Sequence, residues 1–287
     1  MGGPSLERVV SLNSGKAVAQ GLRAAGYTVT PVDVTRRDLE LPADVEAVFI
    51  ALHGEFGEDG EVQALLNNRG IPYAGSGPAA SQAAFDKRVS KATFVAQGIA
   101  TAAYQVFSAG DRRELPLPVV VKPARQGSSL GVSMVFEEAD WPKALADGFE
   151  YGAELIVESY VDGRELTVGI LGEEALPIVE ILAPDGNYSF LAKYTGGRTR
   201  YLTPAPLAAS LYRHCQELAL RAFRALDCRG FGRVDLRLSS KGEPFALELN
   251  SIPGFTATSL LPKAAAAAGI AFPDLCHRIM HAAGNPA

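Results

Sequence analysis

A chain of 287 residues exceeds one simple core and, at roughly 150 residues per domain, divides into two or three units. Its 47% hydrophobic and 21% charged residues exclude a disordered chain, and a net charge of -5 without a lysine or arginine tract excludes the electrostatic footprint of a nucleic-acid binder. Cys215, Cys228 and Cys276 are odd in number and lack C-x-x-C spacing, which argues against a disulfide framework or a structural zinc site. The opening "MGGPSLERVV" has no basic segment followed by an apolar run, and no stretch of about 18 apolar residues marks a membrane span. The expectation is a cytoplasmic protein with no membrane and no nucleic-acid partner, acting on a small polar substrate.

In chain order, the spacing predicts a helix over 11–25 with Ser11 or Asn13 as caps, then strands in "YTVTPVDV" and "AVFIAL". After His53, "GEFGEDGEVQALLNNRGIPYAG" reads as a Gly-rich turn feeding a helix with an acidic first turn, a plausible ligand edge of an α/β unit. One long helix over 78–98 leads to strands in "AYQVF", "PVVVKP" and "GVSMVF", a short helix near Trp141 and the strand "AELIVESYV", a second, α+β unit. The remainder holds strands "ELTVGILG" and "ALPIVEIL", the loop "AKYTGGRTRYLTPAPL", a helix over 209–226, strands "RVDLRLSS" and "PFALELN", and a closing helix after "SLLP". The alanine run 264–268 reads as helix.

Two stretches carry chemistry. In "VVVKPARQGSSLGVSMV" a strand ends in Lys122 and passes through Gln126 to Gly131 into a second strand. Glycines allow close backbone approach to a phosphate and serine hydroxyls donate to its oxygens, with Lys122 supplying charge; alone, the same loop reads equally as a hairpin with solvated serines. It is not a Walker A loop, which requires G-x-x-x-x-G-K-[ST]. In "GRVDLRL", Asp235 and Arg237 share a face opposite Val234, Leu236 and Leu238, and in "FALELN", Glu248 and Asn250 share one. Paired, these strands converge hard oxygen donors suited to Mg²⁺, although a half-exposed hairpin with a polar face has the same alternation. A phosphate loop, a strand lysine, an acidic pair and the "NSIPG" turn together ask for a nucleoside triphosphate with magnesium.

Taken with these motifs, the chain resembles the ATP-grasp enzymes and, within them, the D-alanine:D-alanine ligases. The likeness rests on "GGPSLERVVSLNSG", "ALHGEFGEDG", "IPYAGSG", "DKRVSK", "VVVKPARQGSSLG", "GRELTVGILG", "AKY", "GFGRVD", "LELNSIPGFT" and "SLLP". It implies an α/β and α+β three-domain ATP-grasp architecture: a Rossmann-like N-terminal substrate domain over 1–76, a central subdomain over 77–158 and a C-terminal metal-binding domain over 159–287. It also implies ATP as co-substrate, two Mg²⁺ (or Mn²⁺) ions, two D-alanines as substrates and a homodimer.

Residue by residue, the resemblance places Lys87 and Lys122 near the ATP phosphates, with Ser129 in a lid over them. It puts Glu158, Tyr160 and Val161 at adenine and Glu165 at the ribose, and assigns Asp235, Glu248 and Asn250 to the metals, Glu248 bridging. Arg233 and the Gly254 amide match oxyanion stabilisers, and Glu7, linked through Ser128 to Tyr194, matches the holder of the first substrate's ammonium. His53 matches a substrate-side histidine, Ser259 and Leu260 match the second D-alanine's carboxylate pocket, and Lys193 and Tyr194 lie in a loop that closes over the site. The implied reaction transfers the γ-phosphoryl to one D-alanine carboxylate, and the second D-alanine's amine then attacks the acyl phosphate, for peptidoglycan precursor synthesis.

Two departures stand out. Family members carry an apolar strand immediately before the "GG" block, so the first strand of the N-terminal sheet is expected to be absent; "TGGRTR" replaces a commonly acidic stretch after Tyr194. The competing readings are a D-alanine:D-lactate or other D-amino-acid ligase, which Tyr194 disfavours, and an inactive ATP-binding homologue, which the retained Lys122, Arg233, Asp235, Glu248 and Asn250 disfavour.

Overall fold

The computed structural model describes residues 1–183 and 199–284. Its largest sheet grows from period-2 strands. β7 (Gly163–Leu171) and β11 (Phe231–Ser239) pair antiparallel along their length, β12 (Pro244–Asn250) flanks β11, and β9 (Val179–Leu182) followed by β10 (Arg200–Leu202) flanks β7. A short strand, β8 (Glu174–Ala175), turns back onto β7. Leu166, Val168, Ile170, Val234, Leu236 and Leu238 form one face of this sheet and bury against α6 (Ala209–Ala225), α3 (Pro78–Phe85) and α4 (Lys87–Ala96). The other face takes α7 (Leu260–Ala267), which approaches β7 so closely that a Cβ on Gly169 would lie 2.7 Å from Leu261 Cδ1.

The expected helix over 78–98 is two helices. Asp86 interrupts it in extended conformation, and its carboxylate accepts from the Arg88 amide at 3.0 Å, capping α4. The break turns Lys87 out of line with α3, toward the second sheet. That sheet is four-stranded and antiparallel, ordered β3 (Tyr104–Ser108), β6 (Glu154–Ser159), β4 (Val119–Pro123), β5 (Ser133–Val135), with α5 (Trp141–Phe149) over Phe107, Val119, Val121 and Leu155.

Around the N-terminus, α1 runs Arg8–Ala24, starting three residues earlier than expected. Ser11 therefore lies inside the helix instead of capping it, accepting from the Gly2 amide and donating to Ala51 O; Asn13 is likewise interior. The parallel pair β1 (Val48–Phe49) and β2 (Tyr73–Ala74) is shorter than "AVFIAL" suggests. "YTVTPVDV" is not a laddered strand: an apolar cavity of about 590 Å³, lined by Val18, Leu22, Val29, Val32, Val48 and Phe49, lies beside it. Its end runs parallel to residues 1–3, with Val34 N donating to Met1 O at 2.9 Å and Gly3 N to Val34 O at 2.7 Å. Phe49 of β1 packs edge-on against Phe255 at 5.3 Å and tilted against Phe231 at 5.8 Å, tying the N-terminal unit to the large sheet. α2 (Glu61–Asn68) and the final helix α8 (Phe272–His281) complete the described chain. The three cysteines are buried free thiols.

Candidate active site

The two antiparallel sheets face each other across a cleft lined by Lys87, Lys122, Gln126, Glu158, Asp235 and Glu248. Lys122, next to last in β4, lines the cleft and ion-pairs with Glu158 of β6; Lys91 of α4 lies 2.6 Å from the second Glu158 oxygen. Burial alone would push the Glu158 carboxyl up, yet the two lysines hold it below the usual range. Lys122 is correspondingly raised against burial by Glu158 and Glu248, whereas burial prevails at Lys91 and lowers it. Lys87 donates to Gln126 O at 2.8 Å and sits 3.2 Å from Glu248 Oε2. Beneath it Asp86, nearly fully buried, is brought down to about 2 despite desolvation, by hydrogen bonds from Arg88 and Arg125. These contacts hold two lysine ammoniums side by side at the cleft, each against a carboxylate.

The bend after Lys122 is a left-handed turn: Ser128 and Ser129 have φ of 52° and 59°, and Gly131 67°. Such backbone is costly for serines and persists where surroundings impose it. Here the Ser128 hydroxyl donates to Glu7 Oε1, and a Cβ on Gly127 would lie 2.6 Å from Glu7 Oε2.

On the opposite wall, the register pairs Asp235 with Glu248 and Arg233 with Asn250. A register shift follows Asp235, so Ala246 and Leu249 enter the core while Glu248 lines the cleft and Asn250 lies beside Asp235. Asp235 accepts two bonds from Arg233 at 2.8 Å, one from Thr167 at 2.6 Å and one from Asn250 Nδ2 at 3.0 Å. Further along β11, Arg237 donates to Val161 O at 3.0 Å and to Glu165 at 3.2 Å, with its guanidinium 5.7 Å from the centroid of the Tyr160 ring.

Beyond the hairpin, His53 closes the N-terminal side. Its Nδ1 donates to Ile252 O at 3.0 Å and its Nε2 accepts from the Ser14 hydroxyl at 2.9 Å, while Ser14 Oγ accepts from Phe255 N at 3.1 Å. The ring thus holds the loop carrying Gly254 from 199 residues away. Ser259 immediately precedes α7, its hydroxyl accepting from Thr256 N at 3.0 Å and next to Gly254; Leu260 is buried behind it.

Burial holds the His53 pKa at about 4 against an ordinary 6.5. Between those values the unfolded chain binds the extra proton, so His53 costs the fold about 3 kcal/mol as pH falls through that window. Glu58, buried near Glu7 and accepting from Gly54 N at 2.7 Å, is raised to about 8 by desolvation and then by Glu7. Its contribution runs the other way, present below pH 4.5 and lost toward 8. The parent's stability advantage over His53→Gln is therefore expected to shrink between pH 7 and pH 4.5 in denaturant titrations, and a constant advantage would show that the ring is not held neutral.

Lys193 and Tyr194 lie outside the described residues. The cleft brings together Lys87, Lys122, Ser129, Glu158, Tyr160, Val161, Glu165, Asp235 and Glu248, while Glu7, Ser128, His53, Gly254, Ser259 and Leu260 stand on its N-terminal side. Sequence reasoning missed Glu58, Lys91, Thr167 and Arg237. Glu58 lay within the quoted "GEFGEDG", and Arg237 continues the Arg233-x-Asp235 alternation, which was the available signal.

Two antiparallel sheets gripping a cleft of lysines and carboxylates define the ATP-grasp class of fold. Residues 89–281 match the D-ala D-ala ligase C-terminus family and residues 36–76 the D-ala D-ala ligase N-terminus family. The chain is 45% identical over 281 residues to the D-alanine–D-alanine ligase of Methylacidiphilum infernorum (97% of this chain, 92% of that one) and 46% identical over 286 residues to that of Syntrophotalea carbinolica (98% and 93%). The crystal structure of the Bacillus anthracis D-alanine–D-alanine ligase complexed with ATP superposes with a TM-score of 0.84 at 31% identity, covering 97% of this chain and 94% of that one. The chain belongs to the D-alanine–D-alanine ligase family.

Proposed function

We propose that this chain joins two D-alanines into D-alanyl-D-alanine at the expense of ATP, through an acyl phosphate, for peptidoglycan precursor synthesis. The observation that carries the reading is the Ser128–Glu7 contact: one hairpin both borders the lysine-lined cleft and touches the carboxylate suited to a substrate ammonium. Nucleotide and amino acid therefore meet at one loop.

In this reading Lys87 and Lys122 bind the phosphates beneath Ser129, Glu158, Tyr160 and Val161 meet adenine, and Glu165, steadied by Arg237, meets the ribose. Glu7 holds the first ammonium, orienting its carboxylate toward the γ-phosphoryl. Arg233 and the Gly254 amide face the oxyanion of the tetrahedral intermediate, where one donor contributes about 3 kcal/mol. Ser259 and Leu260 receive the second D-alanine's carboxylate, and His53 acts by fixing the loop that bears Gly254. Lys193 and Tyr194 belong to the covering loop.

The donor chemistry of Asp235, Glu248 and Asn250 fits magnesium or manganese: hard oxygens on two adjacent strands. Magnesium is commonly held by one or two carboxylates, which this set could supply, and completed by substrate phosphates and water. When bound, the ions neutralise charge on the transferring phosphoryl group. Asp235 and Glu248 already balance the charges of Arg233 and Lys87, so the wall is electrostatically prepared for that exchange.

We further infer three domains over 1–76, 77–158 and 159–287, a homodimer and a cytoplasmic location; no helix among the described residues is long and apolar enough to cross a membrane. Phosphate release by the purified chain with ATP and magnesium is expected to depend on D-alanine and to accompany D-alanyl-D-alanine, identified by mass. ATP binding without the dipeptide would overturn the reading.

A further inference from the structure

The last residue of "DKRVSK", Lys91, has no part in the proposed chemistry, yet it is completely buried. Its ammonium lies 2.6 Å from Glu158 Oε2 without an aligned hydrogen bond to that atom, donates to Thr101 Oγ1 at 2.9 Å and sits 5.4 Å from the Tyr104 ring centroid. Thr101 Oγ1 in turn donates to Ala246 O at 2.7 Å, and Ala246 N to Ala100 O at 2.8 Å. Lys91 therefore spans from Glu158 in the four-stranded sheet to β12 in the large sheet, two residues before Glu248. A buried lysine costs stability unless it is paired, and Lys122 already neutralises Glu158. A second ammonium on the same carboxylate thus calls for a reason beyond charge balance.

We propose that Lys91 is a positioning residue for nucleotide choice: ion-paired to the buried Oε2, it holds the Glu158 carboxylate at the cleft wall, an acceptor for the 6-amino group of adenine and a repellent to a 6-keto purine. The inference rests on the reading that Glu158 meets the adenine. A carboxylate fixed between two lysines has only lone pairs to offer. A purine that donates at position 6 is matched, whereas guanine would set its carbonyl oxygen against the anion, leaving two acceptors face to face. Without Lys91, Glu158 can turn wholly onto Lys122, withdrawing the acceptor from the cleft. Lys122 would then be held more tightly by Glu158 and be less available to phosphate.

The test compares Lys91→Met, Glu158→Gln and the double variant by steady-state kinetics with ATP and GTP, checking each fold by circular dichroism and melting. Lys91→Met is expected to raise KM for ATP about tenfold, the worth of a charge-assisted hydrogen bond, to narrow the ATP-over-GTP ratio and to leave KM for D-alanine within about twofold. The double variant is expected to lose no more than Glu158→Gln alone, because Lys91 acts through Glu158. A folded Lys91→Met with parental ATP affinity and purine preference, or losses that multiply in the double variant, would overturn the proposal. If Glu158→Gln itself leaves KM for ATP unchanged, the adenine assignment fails first, and the Lys91 proposal with it. Should Lys91→Met not fold, Lys91→Gln keeps a donor to Thr101 and reads the same ratio. Unfolding of both would overturn the proposal in favour of a purely architectural lysine.

Discussion

Glu248→Gln is expected to cut dipeptide formation by about 10³-fold while leaving the melting temperature within a few degrees of the parent. The side chain faces the cleft from a half-exposed position, and the core contribution of β12 comes from its neighbours Ala246 and Leu249, so the fold does not depend on the charge. What changes is the wall. Glu248 stands directly across the ladder from Asp235 and 3.2 Å from Lys87, so an amide removes one of the two anions that would hold the metal ions and releases the lysine from its partner. Phosphoryl transfer depends almost wholly on positioning and charge stabilisation, so losing a metal ligand reaches kcat directly. The measurement is kcat at saturating ATP, magnesium and D-alanine. Turnover within tenfold of the parent would remove Glu248 from the metal assignment.

Much of this architecture was legible because its signals are local. "RVDLRLSS" alternates, and alternation tells which of its side chains enter the core before any partner is known. Asp235 follows from that period; on β12 the register shift after Asp235 breaks it, putting both Ala246 and Leu249 in the core and leaving Glu248 toward the cleft. The failures lie where a contact across the chain decides. "YTVTPVDV" has the composition of a strand, but a strand needs a ladder, and an apolar cavity lies beside most of it. The run 78–98 has continuous helical periodicity; the break comes at Asp86, whose carboxylate accepts from the Arg88 amide and from the Arg88 and Arg125 side chains, the last from 39 residues on. Glu58 and Lys91 could not be placed from spacing, because their importance arises from burial beside Glu7 and Glu158, each brought in from another element.

A single methyl group at Gly127 is expected to separate the two halves of the site. The Gly127→Ala Cβ would lie 2.6 Å from Glu7 Oε2 and 3.1 Å from its carboxyl carbon, closer than carbon and oxygen approach without displacement. The loop has little slack, since Ser128 and Ser129 already occupy left-handed backbone, and Glu7 is buried. Hairpin and carboxylate must therefore part by a fraction of an ångström to an ångström, breaking the Ser128–Glu7 bond. A misplacement of that size at a reacting centre costs about 10²-fold, so kcat/KM for D-alanine is expected to fall by that much. ATP binding, measured by calorimetry, is expected to change less than about threefold, because Lys87, Lys122 and Glu158 are held by Gln126 O, Glu248 and each other and not by Glu7. A variant that loses ATP affinity and D-alanine efficiency in parallel would mean that the hairpin serves only the nucleotide. One that retains parental D-alanine efficiency would mean that Glu7 does not hold the substrate against this loop. The split between the two measurements is what a hairpin that both borders the lysine-lined cleft and touches Glu7 requires.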